Sequence, residues 1–345
     1  MKLLKKLSEA HGVPGHEDKV RELLRKELER TCDEVFVDKL GNLIARKGEG
    51  KRKVMLDAHM DEIGLMVKHI DKKGFIRFTT LGGFFDQTLL NQRVVVHTRK
   101  GEVLGVIGSK PPHLMKEEER KKVVKAENMF IDVGAGNAEE VKKLGVRVGD
   151  YITFDRSFAE LTGGLVTGKA FDNRIGCYAL VEVMRRLSVE AEVYAVATVQ
   201  EEVGLKGART AAYKIYPDLA IVLDVTTTGD YPGVREEESA TKLNGGPAIT
   251  LVDAKGRGLI THPEVKELLI STAEEEKIPY QLEVGEGGTT DATTIHLTKE
   301  GVPAGVVSVP TRYIHSPVEV ASKRDIEHMV ELVAKAVERW VEKKD

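Results

Sequence analysis

Five short segments of this chain set histidine or carboxylate side chains just past runs of apolar residues. They are Asp57-Ala58-His59-Met60-Asp61, Ala170-Phe171-Asp172-Asn173-Arg174, Gln200-Glu201-Glu202-Val203-Gly204, Ile221-Val222-Leu223-Asp224 and Arg312-Tyr313-Ile314-His315-Ser316. Two imidazoles with several carboxylates suit one or two zinc-like ions. A carboxylate between two cations can bridge them, and two close metals can share a hydroxide and stabilise the oxyanion of an amide undergoing hydrolysis. Residues i and i+2 of a strand face the same side. Asp61 is therefore placed to take the second ring N–H of His59, a common arrangement for ligating histidines. Glu201 and Glu202 point differently from one turn, so one can ligate while the other takes and returns a proton. Taken singly, each group has a structural use: a strand-end acid caps a helix or closes a turn. Their succession at strand ends favours a site.

The elements that must position these groups alternate. Leu3, Leu4 and Leu7 fall at helical spacing, and Gly12-Val13-Pro14-Gly15 breaks that helix. Val20, Leu23, Leu24 and Leu28 mark a second amphipathic helix. Val35–Val37, Leu43–Ala45 and Val54–Ala58 read as strands. From Ile63 to Glu160 the pattern changes to short β-branched runs between glycines: Leu65–Ile70, Phe75–Thr79, Val94–Thr98, Val103–Ile107 and Tyr151–Phe154. Turns with little helix predict a small barrel or sandwich. The charged run Met115–Lys125 reads as a solvated loop or short helix. Strand and helix alternate again after Leu165, with helices at Ile175–Leu187, Pro263–Glu276 and Lys323–Glu342, and strands at Glu192–Val199, Leu219–Leu223 and Ala304–Val309. The expected fold is α/β: a mixed-sheet catalytic domain with helices on both faces, residues 1–62 and 161–345, interrupted by a β-barrel-like insertion at 63–160.

Composition narrows the function classes. The 345 residues are 41% hydrophobic and 31% charged, with a net charge of −3. Interspersed charge of both signs argues against a nucleic-acid surface, and no apolar run approaches the roughly 18–20 residues of a membrane span. The charged, amphipathic start reads as a helix and not as a signal peptide. Two cysteines, Cys32 and Cys177, are too few for a disulfide framework and fit a reducing cytoplasm. Abundant charge beside only 6 Asn and 4 Gln points to a thermophile. The remaining histidines, His11 and His97 among them, have no ligand context in the sequence.

At the motifs above the sequence resembles the M42 family of metallo-aminopeptidases, the tetrahedral or TET enzymes. Gly287-Gly288-Thr289-Thr290-Asp291-Ala292 adds a further match, and the motifs span nearly the whole chain in family order. The resemblance implies two divalent ions per subunit, zinc with cobalt as an alternative. It implies Asp172 as bridging ligand, His315 and Glu202 on one metal, and His59 and Asp224 on the other. Glu201 is implied as general base, activating a metal-bridging hydroxide that attacks the first peptide carbonyl, with Asp61 supporting His59. Gly287, Gly288, Thr289, Thr290 and Asp291 are expected to line the substrate pocket, and Tyr231 its rim. Expected substrates are peptides with a free N-terminus; the family's inserted domain, matching 63–160, serves dimerisation, and the dimers of such proteins build a twelve-subunit tetrahedron.

Three other readings remain at this point. A dinuclear deacylase of N-acyl amino acids would use similar ligands. A glycosidase would need two spaced carboxylates and no metal. A non-catalytic peptide-binding or assembly module would tolerate loss of Glu201. Ala292-Thr293-Thr294 suggests a compact first side chain, whereas Glu286 suggests a basic one.

Overall fold

The structure is a computed structural model that describes residues 1–239 and 241–343. Helices α1 (Lys2–Glu9) and α2 (Asp18–Leu28) precede β1 (Glu34–Val37), β2 (Leu43–Lys47) and β3 (Lys53–His59). Six strands follow: β4 (Gly64–Ile70), β5 (Ile76–Leu81), β6 (Arg93–Thr98), β7 (Gly101–Gly108), β8 (Phe130–Asp132) and β9 (Tyr151–Phe154). Two short helices, α3 (Glu117–Arg120) and α4 (Ala138–Lys143), lie among them. The chain then runs through β10 (Ala159–Glu160), β11 (Leu165–Gly168), α5 (Phe171–Arg186), β12 (Glu192–Thr198), α6 (Lys206–Ile215), β13 (Leu219–Thr227) and β14 (Ala248–Val252). It ends with α7 (Pro263–Glu275), β15 (Gln281–Val284), α8 (Ala292–Ile295), β16 (Ala304–Arg312), β17 (Glu319–Ser322) and α9 (Lys323–Glu342).

Two sheets result. The large mixed sheet has the order β1-β2-β12-β3-β13-β16-β17-β11-β10, with β14 on β16 and β15 on β14. Its centre, β12-β3-β13-β16, is parallel. These strands are buried on both faces and read as continuous apolar runs, as parallel strands do. One face packs against α1, α2, α5, α7 and α9 through residues such as Leu4, Leu24, Leu180, Leu269 and Met329. The other packs against α6 and α8 through Ala208, Ala212, Ile215 and Ile295. Burying one leucine of this kind contributes roughly 1.5–3 kcal/mol. The second sheet is a closed barrel, β4-β5-β8-β7-β6-β9, with its own apolar interior. The α/β fold with a barrel between its two parts is therefore present. Among the described residues, no helix is long and apolar enough to cross a membrane.

The departures from expectation have local causes. Helix α6 is absent from the sequence reading because its buried face, Ala208, Ala211, Ala212 and Ile215, is built mostly of small residues that carry little hydrophobic signal. Strand β8 closes the barrel with three residues, too few for a period of two to show. Strand β13 continues past Leu223 to Thr227, so Asp224 lies within a strand, paired with Ser308, and not at its end. The charged run at 115–125 contains one helical turn, Glu117–Arg120, and is exposed except at the half-buried Met115 and Val124. In contrast, α9 follows its sequence pattern closely. Ser322 caps it through Arg324 N and Asp325 N, and Ile326, Met329, Val330, Val333 and Val337 form its buried stripe.

Candidate active site

The parallel strands bring the acids and histidines together at one end. In the register of β12 on β3, Thr198 lies beside His59, so the Gln200–Glu202 turn begins level with the end of β3. Ligands gather beyond the carboxyl ends of strands in open α/β sheets. His59 Nε2 lies 3.1 Å from Asp172 Oδ1, and His315 Nε2 lies 3.2 Å from Asp172 Oδ2. The carboxylate of Asp172 thus offers one oxygen to each imidazole. Glu202 Oε2 is 3.5 Å from His315 Nε2, while Asp224 Oδ1 is 4.0 Å and Glu201 Oε2 3.8 Å from His59 Nε2. His59, Asp172 and Glu202 also present ligand atoms within 4.8 Å of one another.

The backbone around these groups is unusual. Ala170, Gln200, Tyr313 and His315 have φ between 57° and 61°. Such left-handed values are uncommon outside glycine and persist where the surroundings impose them. Each lies at, or within two residues of, a member of the cluster. Cys177 Sγ donates to the His59 carbonyl at 3.1 Å, and burial pushes that thiol up to about 12.

Asp61 does not hold His59 in the expected way. His59 Nδ1 is 3.1 Å from the Asp61 backbone carbonyl and 3.7 Å from Oδ1. The carboxylate instead accepts Glu201 N–H through Oδ1 at 3.0 Å and Glu202 N–H through Oδ2 at 3.1 Å. A carbonyl serves the imidazole as well as a carboxylate would, which frees the side chain to hold the diglutamate turn. Glu17 continues this arrangement: its Oε1 accepts the Gln200 N–H at 3.2 Å.

The electrostatics are lopsided. Asp61, Asp172, Glu201, Glu202 and Asp224 surround two imidazoles, and all but His315 are buried or nearly so. Burial, reinforced by Asp291, Asp224 and Asp61, pushes Glu201 well above the usual carboxylate range. Burial beside Asp172 and Glu201 does the same to Glu202, and burial lifts Asp224 to about 7. Asp172 is held low despite its burial, because both imidazoles bond to it. Burial works against the protonated form of His59, but Glu201, Asp172 and Asp61 outweigh it and raise its pKa. Glu202 Oε1 is buried without a hydrogen-bond partner. Buried carboxylates need protons, partners or metal ions. A nitrogen-and-oxygen donor set short of positive charge, with an orphaned carboxylate oxygen, fits divalent cations.

Several contributors have no role that the sequence assigns. Glu319 accepts Asp172 N–H through Oε2 at 3.2 Å and His315 N–H through Oε1 at 3.0 Å. Glu62 is buried and ion-paired to Lys169 at 2.7 Å, with Arg174 3.3 Å away. The barrel adds Gly82 and Gly83, just beyond β5. A Cβ on Gly82 would come within 3.2 Å of Glu202 Oε2, and one on Gly83 within 3.2 Å of His315 Nδ1. Only the glycine pair had a cue, as a turn signal. The others act across more than a hundred residues or through backbone amides.

The expected pocket residues are divided. Gly287, Gly288 and Thr289 are exposed and Thr290 is half-buried. Asp291 is 1% exposed, and its Oδ2 accepts from Thr198 Oγ1 at 2.6 Å. Asp291 therefore faces the interior beside Asp57. Tyr231 is half-buried, with its ring 5.7 Å from that of Tyr313. Glu286 is exposed and paired with Lys255 at 3.0 Å. A cavity of about 800 Å³ lies at the far end of the strands, near Leu219, Pro303 and Trp340. It holds none of these ligand groups.

A family profile described as M42 glutamyl aminopeptidase matches residues 41–332. The chain belongs to the M42 peptidase family. It is thus a peptide-bond hydrolase of the aminopeptidase class. The lysyl aminopeptidase of Pyrococcus furiosus is 39% identical, covering 97% of this chain and 95% of its own. Aminopeptidase APDkam598 from Desulfurococcus kamchatkensis is 48% identical, with a TM-score of 0.94 over 99% of this chain and 96% of that one. The TET1 peptidase of Pyrococcus horikoshii, which can assemble into a tetrahedron or a large octahedral shell, is 36% identical, with a TM-score of 0.87 over 98% of both chains.

Proposed function

We propose that this M42 peptidase is a dinuclear metal aminopeptidase with Glu201 as general base. The observation that carries the reading is Asp172, whose two oxygens each face the Nε2 of a different histidine. In this reading two divalent ions, zinc or cobalt, would be held by Asp172 in common, with His315 and Glu202 as further ligands of one and His59 and Asp224 of the other. Ions held there would supply Lewis acidity, lowering the pKa of a water and polarising a peptide carbonyl. Glu201 takes the proton of that water and delivers it to the leaving amine. Its position is set by Asp61, which holds its N–H. The surrounding acids attract the free N-terminal ammonium. Gly287–Thr290 and Tyr231 are proposed to border the first side chain.

The likeness to a TET1 peptidase supports a homo-oligomer, with residues 63–160 as the dimerisation unit within a dodecamer. A cytoplasmic location and a thermophilic source accord with the cysteine count and the charge content.

Chelation followed by zinc or cobalt add-back tests the metal dependence on chromogenic aminoacyl substrates. Glu201→Gln is expected to keep two metals per chain and lose about 10²–10⁴-fold in turnover, the usual contribution of a positioned acid–base group. Full hydrolysis after chelation, or near-normal turnover in Glu201→Gln, would overturn the proposal.

A further inference from the structure

We propose that His11, His97 and Glu102 form a separate divalent-cation site, of zinc type, between the N-terminal helices and the barrel. Among the described residues, two groups of histidine and carboxylate atoms gather closely enough for one ion: part of the active site, and this trio. His11 lies between α1 and α2, His97 on β6 and Glu102 on β7. The last two are direct partners across the β6–β7 ladder. One ligand atom from each residue lies within 4.8 Å of the others, and His97 Nδ1 is 3.6 Å from Glu102 Oε1.

The imidazoles are positioned as ligands are. Thr153 Oγ1, on β9, is 2.8 Å from His97 Nε2 and 2.8 Å from His11 Nδ1. A hydroxyl oxygen has two lone pairs and can accept one N–H from each ring. With its proton on Nε2, His97 presents Nδ1 toward Glu102 as an electron-pair donor. Metal-binding histidines are oriented in this way by a partner on the second nitrogen. His97 also stacks on Tyr151 at 4.3 Å, and the His11 ring lies 4.7 Å from the His97 ring. Burial holds both rings toward the neutral form that binds metals.

The carboxylate already faces a cation. Lys19 Nζ is 2.8 Å from Glu102 Oε1, and both side chains are half exposed. An ammonium on a flexible stem can swing into solvent, so a divalent ion would replace one exposed ion pair with three ligand bonds. The ion would fasten the segment after α1 to the barrel wall. It would take no part in hydrolysis.

The test titrates zinc into protein whose catalytic metals are saturated, by calorimetry and by elemental analysis after desalting. Wild type is expected to retain one more zinc per chain than His97→Phe, which keeps a flat ring on Tyr151, or Glu102→Gln, which changes a half-exposed side chain. Thr153→Val should weaken this zinc by about 10–100-fold, the range for partners behind a ligand. Lys19→Ala should tighten it, because a competing cation is gone. The extra zinc should survive in Glu202→Gln, which separates this site from the catalytic reading. Equal zinc in wild type and Glu102→Gln, or no tightening in Lys19→Ala, would overturn the proposal.

Discussion

Asp61 holds the backbone N–H of Glu201 at 3.0 Å, and with its other oxygen that of Glu202 at 3.1 Å. The acid two residues beyond His59 therefore sets the direction of the turn that carries the proposed base and one proposed ligand. Asp61→Asn replaces one acceptor with a donor that faces an N–H. We expect kcat to fall about 10–100-fold, as for other groups behind a metal ligand, with KM little changed and the fold intact. Steady-state kinetics with a circular dichroism control would check this. An unchanged kcat would contradict it.

Glu319 ties Asp172 N to His315 N through one carboxylate. Its effect should therefore be on metal affinity more than on stability. Glu319→Gln keeps one acceptor and is expected to weaken the metals by about 10–100-fold in competition with a chelator. Glu319→Ala should be weaker still. Unaltered affinity in both variants would show that these loops hold themselves.

The Lys169–Glu62 pair is buried, with Arg174 beside it donating to the carbonyls of Leu7, Ala10, Gly12 and Met60. Removing one partner of such a pair leaves an uncompensated charge. Lys169→Met should lower stability by about 3–5 kcal/mol, read from the urea midpoint. A loss below about 1 kcal/mol would mean that Arg174 alone suffices.

Glu17 gives a pH dependence. Burial, with Asp61 nearby, raises its carboxyl from the model-peptide value of 4.5 to about 7. The folded state then binds more protons than the unfolded chain between these values, so stability falls as pH rises. The contribution is complete below pH 4.5 and is lost as pH passes through about 7. Glu17→Gln keeps the acceptor for Gly15 N–H and Gln200 N–H. It should gain stability over wild type at pH 8 and not at pH 4.5. Thermal melts at both values would show it, and parallel wild-type and variant curves would refute it.

Much of this protein is legible in its sequence where chemistry and periodicity coincide. His59, Glu201–Glu202 and His315 stand out because apolar strands run straight into them. The stripe of α9 reads equally well. Glu319 does not, because it acts on backbone amides, which carry no residue signature. Nor does the Lys169–Glu62 pair, whose partners are 107 residues apart. Asp291 was legible as a motif but not as a buried side chain, since a glycine-rich neighbourhood says nothing about which way its last residue turns. His11 and His97 look idle in the sequence because their meeting depends on how the barrel docks.

The cluster at the strand ends draws on residues from His59 to His315, with β16 carrying the chain to the last of them. A chain still being synthesised holds only part of this set until β16 and the loop after it are in place. Under the proposed function, hydrolysis therefore starts only after the loop that carries His315 has been made.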